Sequence, residues 1–423
     1  MKKFGYKIPC SRILSKLLHE TRLFTLKHSR NRSATVTMMT TTAGCLLNVL
    51  FVISLSHGSP LPSGRGGKVV MCYFAGDSGV RPEDEVRFTP EDLDLTICTH
   101  VMYNRAIVSQ DLEVVPKDRK VDLSEDGGQG MYNRTLALKA LKPGLKVFID
   151  VYDEEGLLGQ QVVSGRYSAL EAFARNAADF VESHGFDGMN IRISRHATGL
   201  DEVLPIMHVE FVRRGFELMT FLLPQEALIA GSSDLTKPVF RNLDLIVVGS
   251  YWTMPFDYTA IFSLQARLES AVDELMASGI PPQKLVVAIP AFSVTVKLCN
   301  RTDAGINASV CCDGDEGMYH PTTNMLLYNS ELRMKMSNAS EDWVVTRDEE
   351  SRVSYGHSRS LQWTSFEDPE SVRVKAQFIL KKNFAGAAIM NVDMEDFKGA
   401  FTEGGKTFPL TRAAFNALNG EQL

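Results

Sequence analysis

The sequence predicts an α/β protein built on parallel strands, and two observations carry that prediction. Short apolar runs recur at residues 68–74, 100–103, 146–149, 189–193, 227–231, 245–251, 285–290 and 386–390, as strands covered on both faces require. Segments of helical periodicity separate them. Eight such units suit a closed (β/α)8 barrel, and the count alone also suits an open doubly wound sheet. A chain of 423 residues, 44% hydrophobic and 23% charged, is long enough for a barrel of about 250 residues with insertions.

The helices have readable ends. Ser168 and Glu171 have capping-box spacing around the stripe Leu170, Phe173, Ala174, Ala177 and Val181, and Gly185 supplies the stop. Ser263 precedes Leu264, Leu268, Ala271, Val272 and Leu275, closed by Gly279-Ile280-Pro281. Asp368-Pro369-Glu370 opens the last long helix, with Val372, Ala376, Ile379 and Leu380 expected to face inward. Between the seventh and eighth runs, residues 291–361 are far too long for an ordinary connection and mix alternating pieces (294–298, 343–346) with polar loops. The chain thus divides into a leader, 1–58, a main body, 59–290 plus 362–423, and an insertion, 291–361.

Residues 1–58 hold nine Lys/Arg against Glu20 alone, so the rest of this chain of net charge −6 is strongly acidic, which makes nucleic acid a poor partner. The largely apolar run 43–55 is shorter than the ~20 residues of a membrane span and has the length of a signal-peptide core, which favours secretion over a type II membrane anchor. Met38 and Met39 stand just ahead of it; translation starting there would make 1–37 an extension. Cys72 and Cys98 flank the first strand–loop unit, while Cys299, Cys311 and Cys312 cluster in a polar segment, a usage that fits an oxidising compartment. One thiol of the cluster is left over after a local bridge, either free or paired between chains. Asn133-Arg134-Thr135, Asn300-Arg301-Thr302, Asn307-Ala308-Ser309 and Asn338-Ala339-Ser340 read as glycosylation acceptors. There is no metal-spaced Cys/His cluster, Gly-rich phosphate loop or internal repeat, so neither cofactor nor metal is expected.

The segment Gly185-Phe186-Asp187-Gly188-Met189-Asn190-Ile191-Arg192-Ile193-Ser194 resembles the fourth-strand signature of family-18 chitinases. There, Asp-Gly is followed by a hydrophobe, Asp, a hydrophobe, Asp, Trp and the catalytic Glu. Other segments carry the likeness through nearly all of the body. Lys68-Val69-Val70-Met71-Cys72-Tyr73-Phe74 with Arg81-Pro82, Glu91-Asp92-Leu93-Asp94 and Cys98-Thr99-His100 is similar to the family's first unit. Residues 284–290 resemble its seventh strand, and 386–393 with Asp396-Phe397-Lys398-Gly399 its eighth strand and loop. The resemblance implies a (β/α)8 TIM barrel, a Cys72–Cys98 disulfide, and at 291–361 a small α+β insertion walling a sugar cleft.

The departures fall on the chemistry. The family's Glu protonates the scissile oxygen while the sugar's acetamide, oriented by an Asp and a Tyr, acts as nucleophile. Here Asp187 and Gly188 survive, Asn190 and Arg192 replace the two following Asp, and Ser194 replaces the Glu. Asp150-Val151-Tyr152 stands for Gly-Gly-Trp, Tyr251-Trp252 for Tyr-Asp, Phe292-Ser293-Val294 for Tyr-Gly-Arg, Met390 for the Trp under the central sugar, and Arg105 for a second-strand Phe. Strand cores, caps and the Cys pair still read as family-like, a pattern of lost chemistry rather than general drift. Loss of the acid alone removes ~10²–10⁴-fold of rate, and Arg192 sets a cation against a positively charged intermediate. The resemblance therefore implies no catalytic residue, with Asp187, Asn190, Arg192 and Ser194 vestigial.

The remaining candidates have competing readings. Tyr73, Tyr103, Tyr152 and Tyr251, with Met390 and Asp393, lie at or near strand ends, as a ligand-stacking surface or as packing of the barrel mouth. Trp252 reads as a new sugar platform or as a plug. Arg105 and Arg192 read chiefly as partners of Asp150, Asp187 or Asp393, and otherwise as an anion site. The run Asp150, Asp153, Glu154 and Glu155 reads as a solvated loop rather than a divalent site with Asp393. Ser194 lacks a His–Asp pair at a neighbouring strand end, and His196 falls at the start of a loop. The leading function, which the resemblance to chitinase-like lectins and imaginal disc growth factors implies, is a secreted, non-hydrolytic chitinase-like module for extracellular binding or signalling, growth-factor-like or carbohydrate-associated, monomeric, with a cell-surface or matrix protein as partner. The second is a weak lectin for chitin or other N-acetylglucosamine glycans, and the third an enzyme whose new chemistry uses the surviving acids.

Overall fold

The computed structural model describes residues 67–420, excepting 194–198, 225–239, 241, 252–256, 264, 316 and 320–325. The expected leader lies outside the described residues, as do Ser194, His196 and Trp252. Strands follow in the order β1 (Val69–Ala75), β2 (His100–Val108), β3 (Val114–Pro116), β4 (Lys146–Asp153), β5 (Gly188–Ile193), β6 (Glu217–Leu222), β7 (Leu245–Gly249) and β8 (Leu285–Pro290). Then come β9 (Phe292–Leu298), β10 (Val310–Asp313), β11 (Leu326–Tyr328), β12 (Val344–Arg347), β13 (Ser354–His357), β14 (Gln362–Phe366) and β15 (Gly386–Met390). The parallel ladder β1-β15-β8-β7-β6-β5-β4-β2 returns to its start through β1–β2 pairing. That closure settles the choice between barrel and open sheet: the fold is a (β/α)8 TIM barrel.

Alternation along each strand builds two cores. Val70, Cys72 and Phe74 of β1 pack outward against the helical ring, whereas Met71 and Tyr73 join Met102, Phe148, Met219, Val247, Val286 and Ala388 inside the barrel. Gly188 and Gly386 open their strands where the backbones run closest. A side chain at either would strike the neighbouring strand at Glu217 or Val69.

The helices used below are α1 (Met131–Leu141), α2 (Leu157–Val163), α3 (Tyr167–His184), α4 (Leu200–Arg214), α5 (Gln265–Ala277), α6 (Asn329–Ser337), α7 (Pro369–Lys382) and α8 (Pro409–Asn419). On α3 the predicted stripe is buried and Gly185 caps the end at φ 94°. Its N-cap is Arg166, so Ser168 sits inside the first turn and the expected capping box does not form. On α7, Asp368 caps as expected, accepting from Glu370 N and Ser371 N at 2.9 and 3.0 Å. Leu380 is a correction: it is 41% exposed.

Two larger corrections concern boundaries. The strand expected at 227–231 lies outside the described residues, and the barrel closes without it because β6 runs over Glu217–Leu222. The run 217–222 begins two residues after Gly215, the left-handed cap of α4, and reads no less apolar than 227–231. The insertion forms an antiparallel sheet, β10-β9-β14-β13-β12 with β11 also on β9. Its last member, Gln362–Phe366, carries the sheet past residue 361. The Cys72–Cys98 disulfide is present; Cys299 pairs with Cys311 and leaves Cys312 free and exposed. Asn133, Asn300, Asn307 and Asn338 are all exposed.

Candidate functional site

Inward positions at the carboxyl ends of the strands define the mouth of a barrel, where such folds place their chemistry. β4 and β5 pair with Asp150 beside Asn190 and Tyr152 beside Arg192. All four follow the inward phase of Phe148 on β4 and of Gly188 on β5, two residues apart. Arg192 forms an ion pair with Asp150 and adds a second hydrogen bond from Nε to Asp150 Oδ1 at 3.1 Å. Asn190 Nδ2 donates to the same oxygen at 2.6 Å. Asp150 is fully buried, and Arg192 keeps 19% of its side chain exposed. Burial opposes the guanidinium charge, and Asp150 with the phenols of Tyr73 and Tyr251 more than restores it.

A cation–aromatic stack continues from this pair. The Arg192 guanidinium lies 5.3 Å from the Tyr152 ring and 5.6 Å from Phe221, and Arg105 lies 5.3 Å from Tyr152. A register shift between Asn104 and Ala106 bulges Arg105 out of β2, where it pairs with Glu154 at 2.5 Å. Tyr73 is fully buried inside the barrel with its Oη unpartnered. Burial, reinforced by Asp150, pushes its phenol well above the ordinary range, so it stays neutral. Tyr251 donates weakly to Met390 Sδ at 3.6 Å and packs against Phe262, Phe292 and Phe221 at 5.4, 5.3 and 6.3 Å.

Other predicted site residues lie elsewhere. Tyr103 is a correction: the alternation that turns Met102 inward turns Tyr103 outward, onto Phe74 and Tyr132, where its hydroxyl donates to Asp122 at 2.5 Å. Asp187 precedes β5 at the opposite end of the barrel. It accepts from Val147 N at 2.7 Å and from Lys139 Nζ at 3.0 Å, and pairs with neither arginine. Asp393 is buried and pairs with Arg81, which also lies over the Tyr328 ring at 4.8 Å, so it too is unavailable to Arg105 or Arg192. The acidic run divides: Glu154 and Glu155 form an exposed turn, as a solvated loop would, whereas Asp150 and Asp153 belong to β4 and are buried, and Asp153 accepts from Leu157 N and Leu158 N at 2.8 and 2.9 Å, where α2 begins. These separate engagements leave, among the described residues, no group of three His, Cys, Asp or Glu placed to hold a metal ion. Phe221, Asn104, whose Oδ1 accepts from Arg192 Nη2 at 3.5 Å, and Arg81 were not foreseen. Phe221 follows from the alternating inward residues of β6, and Arg81 was visible only as part of an Arg-Pro pair.

The model of the glycosyl hydrolases family 18 matches residues 69–395. The chain belongs to that family. Among its relatives, mouse Chitotriosidase-1 is 24% identical over 388 residues, covering 84% of this chain and 79% of that protein. Bovine Oviduct-specific glycoprotein is 25% identical over 403 residues, 89% of this chain and 71% of that protein. Drosophila melanogaster Probable chitinase 10 is 26% identical over 85% of this chain, which spans only 16% of that much longer protein. Among solved structures, catalytic domain 2 of the Ostrinia furnacalis Group II chitinase superposes with a TM-score of 0.75 at 23% identity, covering 84% of this chain and 97% of that one. Human YKL-39, described as a pseudo-chitinase with retained chitooligosaccharide binding properties, gives 0.70 at 22% identity, covering 84% and 100%. A family-18 barrel with its second sheet as the insertion is therefore the architecture of this protein.

Proposed function

We propose that this family-18 protein is a secreted, non-hydrolytic chitinase-like module that acts by binding, with a cell-surface or matrix protein as its partner. One observation carries the reading. The inward side of β4 and β5, where the family's resemblance calls for carboxylates and a proton donor, is occupied by the Asp150–Arg192 ion pair with Asn190 attached. A guanidinium held charged by a buried carboxylate can neither donate a proton near neutral pH nor stabilise a cationic intermediate. The Ser194 hydroxyl at the acid's sequence position cannot replace it. The test is turnover of N-acetylglucosamine tetramer by the purified protein and by Ser194→Glu. Neither is expected to release product, because Asn190 and Arg192 remain; measurable hydrolysis by the unaltered chain would overturn the reading.

A specific observation favours a second function at the same mouth. Tyr73 Oη and Asn190 Oδ1 are buried without partners inside the barrel, so hydrogen-bonding capacity remains there, and the related YKL-39 is described as retaining chitooligosaccharide binding. With Met390 and Tyr152 in place of two Trp platforms, that affinity is expected to be millimolar or weaker. Titration calorimetry giving a micromolar constant would make the protein a lectin proper.

A further inference from the structure

We propose that the outer face of the insertion sheet is the seat for the first sugar of an N-linked glycan carried by Asn338. The inference rests on secretion, the reading above, and concerns a site on the far side of the sheet from the barrel mouth. On β9, Val294, Val296 and Leu298 pack with Trp363 of β14 against Phe262 and Tyr251. Alternation turns Thr295 and Gln362 to the opposite face. There a cavity of about 330 Å³ is lined by Thr295, Leu327, Met334, Asn338, Trp343 and Gln362, among others.

The cavity holds unspent donors. Gln362 is 7% exposed; its Oε1 accepts from Asp315 N at 2.8 Å, while Nε2 has no partner. Trp343 Nε1 is likewise buried and unpartnered. Buried donors without acceptors are unfavourable. A pyranose with an acetamide carbonyl and hydroxyl oxygens supplies acceptors, and an indole with Leu327 and Met334 offers apolar surface to its C–H face. Around the lining Asp315 is paired with Lys297 at 3.6 Å, which leaves Lys335 to offset Glu341, and this suits a neutral sugar better than an ion.

Asn338 brings that ligand to the place. It is exposed, it lines the cavity, and its Oδ1 accepts from Ser340 N and Oγ at 3.1 and 2.9 Å. Nδ2 is left to react. In the transfer from a lipid diphosphate-linked oligosaccharide, Nδ2 loses one proton and bonds to the sugar C1, while the C1–O bond breaks and the diphosphate departs with its electron pair. The asparagines of the other sequons, Asn133, Asn300 and Asn307, are exposed but do not line this cavity.

The experiment uses the full chain secreted from a eukaryotic host, with glycopeptide mass spectrometry and the rate of native release by a peptide:N-glycanase at each site. A seated sugar must leave its cavity before the enzyme can act, so release at Asn338 is expected to be about tenfold slower than at Asn133. Trp343→Ala should bring the two rates together. In the unaltered sequence, trimming to the single attached sugar should leave Trp343 shielded from acrylamide quenching, and Asn338→Gln should unshield it. A glycan on Asn338 released as fast as the others, or Asn338 bare while Asn133, Asn300 or Asn307 is modified, overturns the seat but leaves secretion standing. No glycan at any of the four overturns the seat, and retention of the chain inside the host cell overturns secretion.

Discussion

Replacing Arg192 by Met removes the cation that compensates Asp150 and leaves its fully buried carboxylate with one donor, Asn190 Nδ2 at 2.6 Å. Breaking a buried pair from one side costs roughly 3–5 kcal/mol. An independent bound agrees: protonating an ordinary aspartic acid at pH 7 costs about 4 kcal/mol, and at pH 5 only about 1.5 kcal/mol. The Arg192→Met penalty should therefore shrink by at least about 1 kcal/mol between pH 7 and pH 5, which loss of packing would not produce. Asp150→Asn should cost less, about 1–3 kcal/mol, since Arg192 retains 19% exposure and its contacts with the Tyr152 and Phe221 rings. The double variant removes both charges and should fall short of the sum by at least about 2 kcal/mol. Urea unfolding followed by circular dichroism, compared at equal m-values, measures all four corners of the cycle. Additivity within about 0.5 kcal/mol, or a penalty unchanged by pH, would refute the argument that this pair governs the mouth.

Four further outcomes are expected. His100, half-buried and stacked on Phe148 at 5.9 Å, is held down to about 4 by burial and then by Lys146. The unfolded chain therefore binds this proton first as pH falls, and acidification from 6.5 to 4 should cost up to about 3 kcal/mol, an effect that His100→Gln should abolish in the stability-versus-pH curve. Glu395 acts oppositely. Burial raises it to about 7 despite hydrogen bonds from Thr411 and Leu410, so its contribution to stability falls as pH rises from about 4.5 to 7. Glu395→Gln should steepen the acid limb between pH 7 and 4.5, and a curve unmoved by both changes would refute these assignments. Lys375 and Glu367, 1% and 0% exposed and 2.8 Å apart, form a second buried pair. Lys375→Met should cost roughly 3–5 kcal/mol and Lys375→Met/Glu367→Leu much less, with a double variant no better than the single excluding a charge effect. Removing the Cys72–Cys98 bridge, which spans 26 residues, should cost about 3.5 kcal/mol by loop-closure entropy, read as a lowered urea midpoint.

What the sequence by itself determined is set by local rules. Alternation along β1, the α3 stripe with its Gly185 stop, and the Asp368-Pro369 cap each depend on neighbours a few residues away, so they can be read without coordinates. Family membership was legible in the same way, from short segments in fixed order. The tertiary structure decided whatever depends on which strand end meets which. Barrel closure needed β1 to reach β2, a contact no local pattern encodes. The choice of 217–222 over 227–231 for the fifth barrel strand needed the two ladders flanking it. Tyr103 and Tyr73 look alike in the sequence, yet the pleat phase of each strand sends one to the helical ring and the other into the barrel. Of the candidate charges, only Asp150 lies beside Arg192, because adjacent parallel strands place these side chains in register, while Asp187 and Asp393 are drawn to Lys139 and Arg81. An ion pair is fixed by distance in space, and the chain specifies that distance only by folding.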